Sequence, residues 1–217
     1  MSNFRSSYGY QSLESGQTSA DRPEYRYFLQ WIKPQSKVLD LACGEGSLGR
    51  LLIDEKKCDV FGVEIDPLGV EQSILKGIKA KVYDLDQGLK DFPDQSFDYV
   101  ICNVSLQMLY RPGFVLEEAL RVGKRVIISF PNFGYWQNRL QLLKGNFPRF
   151  SLYGHLWHDT RSIHLFSLSD FLAFLKKSNA RVYQARFLGA NSYHEDKISK
   201  ILPNLFATVC ILEIDQE

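Results

Sequence analysis

The sequence is poor in the residues that build disulfide frameworks and metal sites. Its four cysteines, Cys43, Cys58, Cys102 and Cys210, lie far apart, form no C-x-x-C pair and have no histidine at zinc-ligand spacing. We therefore expect neither disulfides nor a bound metal. Three of the cysteines fall in apolar runs and are expected to be small buried residues, whereas Cys43 lies in a predicted loop.

Long apolar runs and an excess of one charge are also missing. No stretch approaches the length of a membrane span, and the first residues lack the apolar run of a signal peptide. We therefore expect a cytoplasmic protein with no membrane partner. Lysine and arginine total 26 against 25 for aspartate and glutamate, so no global field draws the chain to nucleic acid. Binding must come from a local site.

The sequence does contain a regular alternation of β-type runs and helical patterns. Residues 1–22, rich in Ser, Gln, Gly and Tyr, are predicted to be a mobile arm, and residues 23–217 a single domain. The alternation predicts crossover connections and an α/β fold with a parallel sheet and helices on both faces. The predicted strands are Lys37–Leu41, Asp59–Glu64, Lys81–Tyr83, Phe97–Cys102 and Arg125–Phe130, and the helices are Pro23–Ile32, Leu48–Glu55, Pro67–Lys76, Val115–Val122 and Trp136–Leu143.

The last third of the chain departs from this alternation. Residues 144–163 are rich in glycine, proline and aromatic side chains, and their length indicates a functional lid or interface segment. A helix at Leu168–Lys177 then precedes two β-rich runs, Arg181–Leu188 and Phe206–Ile214. These runs are too close together for another crossover unit, so they predict a C-terminal antiparallel strand pair.

A glycine-rich loop follows the first predicted strand. Residues 44–49 match G-x-G-x-x-G, and Glu64 lies 20 residues after Gly44, which is also the dinucleotide fingerprint. The alternatives, NAD and S-adenosylmethionine (SAM), both carry a ribose, from which Glu64 is expected to accept two hydroxyl hydrogen bonds. Asp40 favours SAM, because a carboxylate beside the turn would repel a pyrophosphate but attract an ammonium and a sulfonium. We predict SAM, or its product S-adenosylhomocysteine (SAH).

Acidic residues end three successive predicted strands, where ligands of open parallel sheets bind. Asp84 is predicted to accept a hydrogen bond from the adenine amino group, although an aspartate after a strand is often a turn or cap residue. Asn103 either closes the pocket or serves a turn. The predicted cofactor site comprises Asp40, Ala42, Cys43, Gly44, Gly46, Glu64, Ile65, Asp84, Leu85 and Asn103.

Several segments resemble known families. Val38–Gly46, Gly62–Asp66 and Ser96–Ile101 resemble class I SAM-dependent methyltransferases. More specifically, the chain from about Ile32 to Phe174 resembles the MetW family of methionine-biosynthesis proteins. That resemblance is carried by Leu116–Arg125, by Ser129–Trp136 with its Phe-Pro-Asn-Phe-Gly run, and by Arg139–Leu143, Trp157–Thr160 and Ile163–Leu165.

The resemblance implies a seven-stranded, mostly parallel, Rossmann-like methyltransferase sheet and a homoserine O-acyltransferase as partner. Two features depart from the family. Ala42 stands where the family loop normally has glycine, which is tolerable only if this position does not need a positive φ. The N-terminal arm is longer than in the family, which leaves open a divergent paralogue with another substrate.

Catalytic residues are less evident than the cofactor site. The candidates are Asn132, Tyr135, His158 and His164. The two histidines are candidate general bases because an imidazole titrates near neutrality. A lone histidine in an aromatic loop, however, is more often structural. Gln107, Trp136 and Asp159 are further candidates for a substrate or partner surface, and Arg139 either binds a substrate carboxylate or lies on a solvated helix face.

Two functions remain open at this stage. Methyl transfer can rest on in-line positioning of the reactants, so the lack of a clear base does not exclude it. The fourth strand ends in Cys102–Ser105 without an Asn/Asp-Pro-Pro-aromatic motif, which argues against nucleic acid as the substrate. The chain is predicted to be a small-molecule methyltransferase or, alternatively, a non-catalytic SAM-sensing subunit of a homoserine O-acyltransferase.

Overall fold

The computed structural model describes residues 22–148, 157–158, 160–189 and 195–216. Apart from Arg22, the predicted arm lies outside the described residues, as does Asp159. Of the predicted lid or interface segment, residues 144–148, 157–158 and 160–163 are described.

Seven strands form one mixed sheet. They are β1 (Lys37–Leu41), β2 (Asp59–Glu64), β3 (Lys79–Val82), β4 (Phe97–Asn103), β5 (Gly123–Pro131), β6 (Ala180–Leu188) and β7 (Val209–Gln216). Their order is β3-β2-β1-β4-β5-β7-β6. The first five strands pair in parallel, and β7 pairs antiparallel with both β5 and β6. The predicted sheet and its C-terminal antiparallel pair are therefore confirmed.

Eight helices occur within the described ranges. They are α1 (Tyr25–Trp31), α2 (Ser47–Lys56), α3 (Pro67–Leu75), α4 (Pro112–Val122), α5 (Trp136–Leu143), α6 (Leu168–Lys177), α7 (Lys197–Ile201) and α8 (Pro203–Phe206). None of these helices is long and apolar enough to cross a bilayer. One buried cluster packs α4 and α6 against one face of the sheet, and a second packs α1 and α2 against the other.

Helix α1 runs antiparallel to the neighbouring strands. Phe28 and Ile32 are fully buried in the second cluster, and the Tyr99 hydroxyl near the start of β4 donates to the Trp31 carbonyl at 3.3 Å. The helix therefore ends near the amino ends of the strands. It begins near their carboxyl ends, where the cofactor site is predicted.

Several predicted boundaries were wrong by a few residues. Helix α4 begins at Pro112 because proline is favoured in the first turn, where its missing N–H has no intrahelical partner. Strand β3 begins at Lys79, and β7 begins at Val209 after a chain segment that forms α8. The short helices α7 and α8 lack a full helical period of apolar residues, so the pattern did not predict them.

Candidate cofactor-binding site

The glycine-rich loop joins the carboxyl end of β1 to α2. Gly44 and Gly46 have φ values of +58° and +77°, which glycine adopts without steric cost. A Cβ on Gly46 would lie 2.5 Å from the Ile78 Cδ1 and 2.8 Å from the Ser73 Oγ. The Ser73 hydroxyl of α3 also donates to the Gly44 carbonyl at 2.9 Å, so the loop is held close against α3.

Ala42 has a φ of +56°. Alanine would replace glycine here without penalty only if the position did not need a positive φ, and the position does need one. A left-handed conformation costs a residue with a Cβ about 1–2 kcal/mol. The loop thus carries local backbone strain beside the cofactor site.

The Cys43 side chain packs against β2 and α3. A Cβ on Gly62 of β2 would lie only 2.6 Å from the Cys43 Sγ, and the thiol lies 3.7 Å from the Ser73 Oγ. Burial, reinforced by the charge of Asp40, raises the pKa of Cys43 to about 12. The thiol is thus a neutral packing group, and the Cys43 amide and carbonyl form hydrogen bonds with the Val63 carbonyl and the Gly46 amide.

Glu64, the last residue of β2, is anchored by the backbone. Its carboxylate accepts hydrogen bonds from the amides of Gly44 at 2.9 Å, Ile65 at 2.8 Å and Asp66 at 3.0 Å. A carboxylate has about four acceptor positions. If the backbone does not rearrange, Glu64 therefore has one acceptor position left, enough for about one ribose hydroxyl. The sequence predicted hydrogen bonds from two ribose hydroxyls, and the second requires one of these backbone amides to be released.

Asp40, the fourth residue of β1, is the second buried carboxylate beside the loop. It is 3% exposed, and burial, followed by the negative charge of Glu64, raises its pKa to about 7. Asp40 also raises the pKa of Cys102 in β4, after the larger effect of burial. No basic side chain within the described ranges forms an ion pair with Asp40 or Glu64. The site is therefore electrostatically suited to a cation.

The ends of β3 and β4 border the same edge of the sheet. The Asp84 carboxylate accepts from the Asp86 amide at 3.1 Å and caps the turn Leu85–Gln87, while the Leu85 side chain is buried in the core. At the end of β4, the Ser129 hydroxyl donates to the side-chain oxygen Oδ1 of Asn103. The next residue, Val104, has a φ of +50°, a strained conformation for a β-branched residue that is often found at functional sites.

Glu24 is a buried acidic residue near the end of β4 that the sequence pattern did not single out. It precedes α1, its side chain is fully buried, and it lies close enough to Asn103 for the amide to lower its pKa against the larger effect of burial. The signal lay in the helical register, because Glu24 is four residues before the buried Phe28 and therefore shares its face.

The first of the four catalytic candidates, Asn132, is buried and bound to the backbone. The Asn132 amide donates to the carbonyls of Pro203, Asn204 and Ala207, and its oxygen accepts from the amides of Gly134 and Leu168. The polar side-chain atoms of Asn132 are thus hydrogen-bonded to the backbone.

The other three candidates differ mainly in exposure. Tyr135 is 2% exposed, whereas His158 and His164 are on the surface. The His164 and Ile163 amides both donate to the Gln107 carbonyl, and this pairing holds the described end of residues 144–163 beside β4. Their catalytic roles stay predictions.

The strand order, the glycine-rich loop and the acidic strand ends define a protein of the methyltransferase fold class. Among solved structures, the chain is similar to a SAM-dependent methyltransferase from Archaeoglobus fulgidus, with a TM-score of 0.66, 17% identity and coverage of 90% of this chain and 92% of that one. It is also similar to one from Thermotoga maritima, with a TM-score of 0.66, 14% identity and coverage of 90% and 88%.

The sequence comparisons give the family. A family model described as methionine biosynthesis protein MetW matches residues 22–214, and the chain belongs to this family. It is 31% identical over 199 residues to the bifunctional methionine biosynthesis protein MetXA/MetW of Rhodopirellula baltica. The match covers 87% of this chain and 32% of the relative, so the chain spans about a third of that protein's length.

Proposed function

We propose that the chain binds SAM or SAH at the carboxyl ends of β1, β2 and β4. The observation that carries this proposal is the pair of buried carboxylates, Asp40 and Glu64, which have no basic partner within the described ranges. A dinucleotide pyrophosphate would add negative charge to them, whereas SAM brings a sulfonium and an ammonium. The fold and the family membership agree with this choice.

The arrangement of the loop suggests how the ligand lies. Glu64 is the acceptor for the ribose, and Ile65 beside it, which is 50% exposed, offers an apolar surface to the adenine. The Asp84 carboxylate and the Leu85 amide border the adenine on the side of β3. Asp40, between β2 and β4, is then the carboxylate closest to the sulfonium.

For the reaction, we propose methyl transfer to a small molecule in methionine biosynthesis. Such a transfer depends on holding the acceptor in line with the sulfonium methyl group, and good positioning alone contributes several kcal/mol. Two features near β4 support a pocket for the methyl acceptor. One is the strained turn at Val104. The other is the buried Gln107, whose side-chain oxygen has no hydrogen-bond partner in the described ranges.

A second candidate is favoured by the Rhodopirellula relative. That protein carries MetXA and MetW in one chain, which supports association of this chain with a homoserine O-acyltransferase. In this case the site senses SAM or SAH, and residues 144–163 contact the acyltransferase. No methyl group needs to be transferred.

Calorimetric titration with SAM, SAH and NAD tests the shared premise. We expect the wild type to bind SAM and SAH but not NAD, and Asp40→Ala to weaken SAM binding about tenfold or more, the effect of losing one charged partner. Asp54→Ala, on the exposed face of α2, is the matched control and should bind like the wild type. Absent SAM binding, or equal affinity in the Asp40 variant, would overturn the proposal.

Isotopic methyl transfer separates the two candidates. Methyl-labelled SAM is incubated with the protein and a metabolite extract, with and without a purified homoserine O-acyltransferase. Label in a small product supports the enzyme. No label, combined with SAM-dependent acyltransferase activity of a co-purified complex, supports the accessory subunit.

A further inference from the structure

The buried carboxylate of Glu24 lacks hydrogen-bond partners among the described residues. Its side chain is 0% exposed, and neither carboxylate oxygen has a hydrogen-bond partner among the described residues. The nearest cation, the Arg22 Nη1, lies 3.8 Å from the Glu24 Oε1, which is too long for a hydrogen bond. The Asn103 amide is near, but no hydrogen bond of normal geometry joins it to the carboxylate.

Such an arrangement is costly for a structural residue. A buried polar group without a hydrogen-bond partner destabilises the fold, and a charged group does so more strongly. Burial accordingly raises the pKa of Glu24, against opposing effects of Arg22 and Asn103. A packing role gives no reason for a carboxylate here, whereas a ligand that supplies N–H donors would satisfy both oxygens.

The position of Glu24 matches one end of an extended SAM molecule. The residue sits beside Asn103 at the end of β4, and β1 separates β4 from β2 in the sheet. Two strand spacings, about 10 Å, therefore separate Glu24 from the ribose position at Glu64. SAM bound with its ribose at Glu64 and its sulfonium near Asp40 directs its amino-acid end toward β4.

We propose that Glu24 binds the ammonium group at the amino-acid end of SAM and SAH, an inference that rests on the proposed SAM site. The ammonium supplies the donors that both carboxylate oxygens lack. An α-amino acid carries a carboxylate beside its ammonium, and Arg22 beside Glu24 presents the complementary pair of charges. Glu24 thus selects ligands that retain the amino-acid group over simple adenosine thioethers.

Ligands with and without the amino group test this role. SAH and decarboxylated SAM carry the aliphatic ammonium, whereas 5′-methylthioadenosine keeps the adenosine and the sulfur but lacks this ammonium. Each is titrated into the full chain as wild type, Glu24→Gln and Glu117→Gln, the last being the same change on the exposed face of α4. Thermal unfolding without ligand checks that Glu24→Gln is folded.

We expect Glu24→Gln to weaken SAH and decarboxylated SAM about tenfold to a hundredfold, the range for a charge-assisted contact, while 5′-methylthioadenosine changes less than twofold. Glu117→Gln should leave all three affinities unchanged. Equal losses for all three ligands would show a merely structural role and overturn the inference, as would no loss for SAH. If the wild type binds none of them, the SAM site itself is wrong and this inference falls with it.

Discussion

The buried carboxylate of Asp40 predicts an unusual dependence of stability on pH. Its pKa rises from 3.8 to about 7 in the folded protein because burial and Glu64 disfavour the charged form. The folded state therefore binds this proton more tightly than the unfolded state. The contribution of Asp40 to the free energy of unfolding is largest below pH 4, decreases as the pH rises to 7, and is constant above pH 7.

The size of the effect follows from the same values. Each factor of ten in proton affinity corresponds to 1.36 kcal/mol, so ionised Asp40 costs the ligand-free protein up to about 4 kcal/mol at pH 8. Asp40→Asn keeps the shape and removes the charge. For a chain of this length, 1 kcal/mol moves the melting temperature by about 2–4 °C, so the variant should gain on the order of 10 °C over the wild type between pH 4 and pH 8.

Thermal unfolding of both proteins from pH 4 to pH 8 is the assay. Taking the difference between them removes the contribution of other titrating groups. Asp54→Asn, whose side chain is 50% exposed, is the control and should follow the wild type within about 0.5 kcal/mol. A difference between Asp40→Asn and the wild type that does not change with pH would refute the reasoning. Saturating SAM should reduce the difference, since a cation compensates the Asp40 charge.

Two further predictions concern the loop. Ala42→Gly should raise the free energy of unfolding by about 0.5–1 kcal/mol in urea titrations, because relief of the +56° φ outweighs the entropy of glycine; a loss of stability would contradict the strain. Gly62→Ala should destabilise the fold by about 1–3 kcal/mol, because the new methyl group would lie 2.6 Å from the Cys43 Sγ. Cys43→Ala should rescue much of that loss, and additive effects of the two changes would show that the contact is not responsible.

The sequence predicted the acidic edge of the sheet because that edge follows from local pattern. Asp40, Glu64 and Asp84 each come at the end of an apolar run, and parallel strands bring such ends together. Some contacts of these carboxylates are local: Asp84 caps the turn through the Asp86 amide, the alternative that the sequence left open. The Gly44 amide that donates to Glu64 lies 20 residues away and could not be predicted from strand ends alone.

Backbone conformation and burial at the site were harder to predict. The positive φ of Ala42 and Val104 contradicts their intrinsic preference, so the surrounding fold determines it. The four-residue spacing to Phe28 places Glu24 on the buried face of α1. Its closeness to Asn103 at the end of β4 depends on residues distant in the chain and could not be predicted from that spacing.

The position of β7 between β5 and β6 has a consequence for synthesis on the ribosome. Strands β2 to β5 can each add to a strand already made, because β2 pairs with β1, β3 with β2, β4 with β1 and β5 with β4. Strand β6 emerges next but, within the described sheet, pairs only with β7, which is made after it. Until then its backbone amides and carbonyls lack strand partners, and exposed strand edges promote aggregation. The nascent chain is therefore prone to aggregation from the synthesis of β6 until β7 pairs with it.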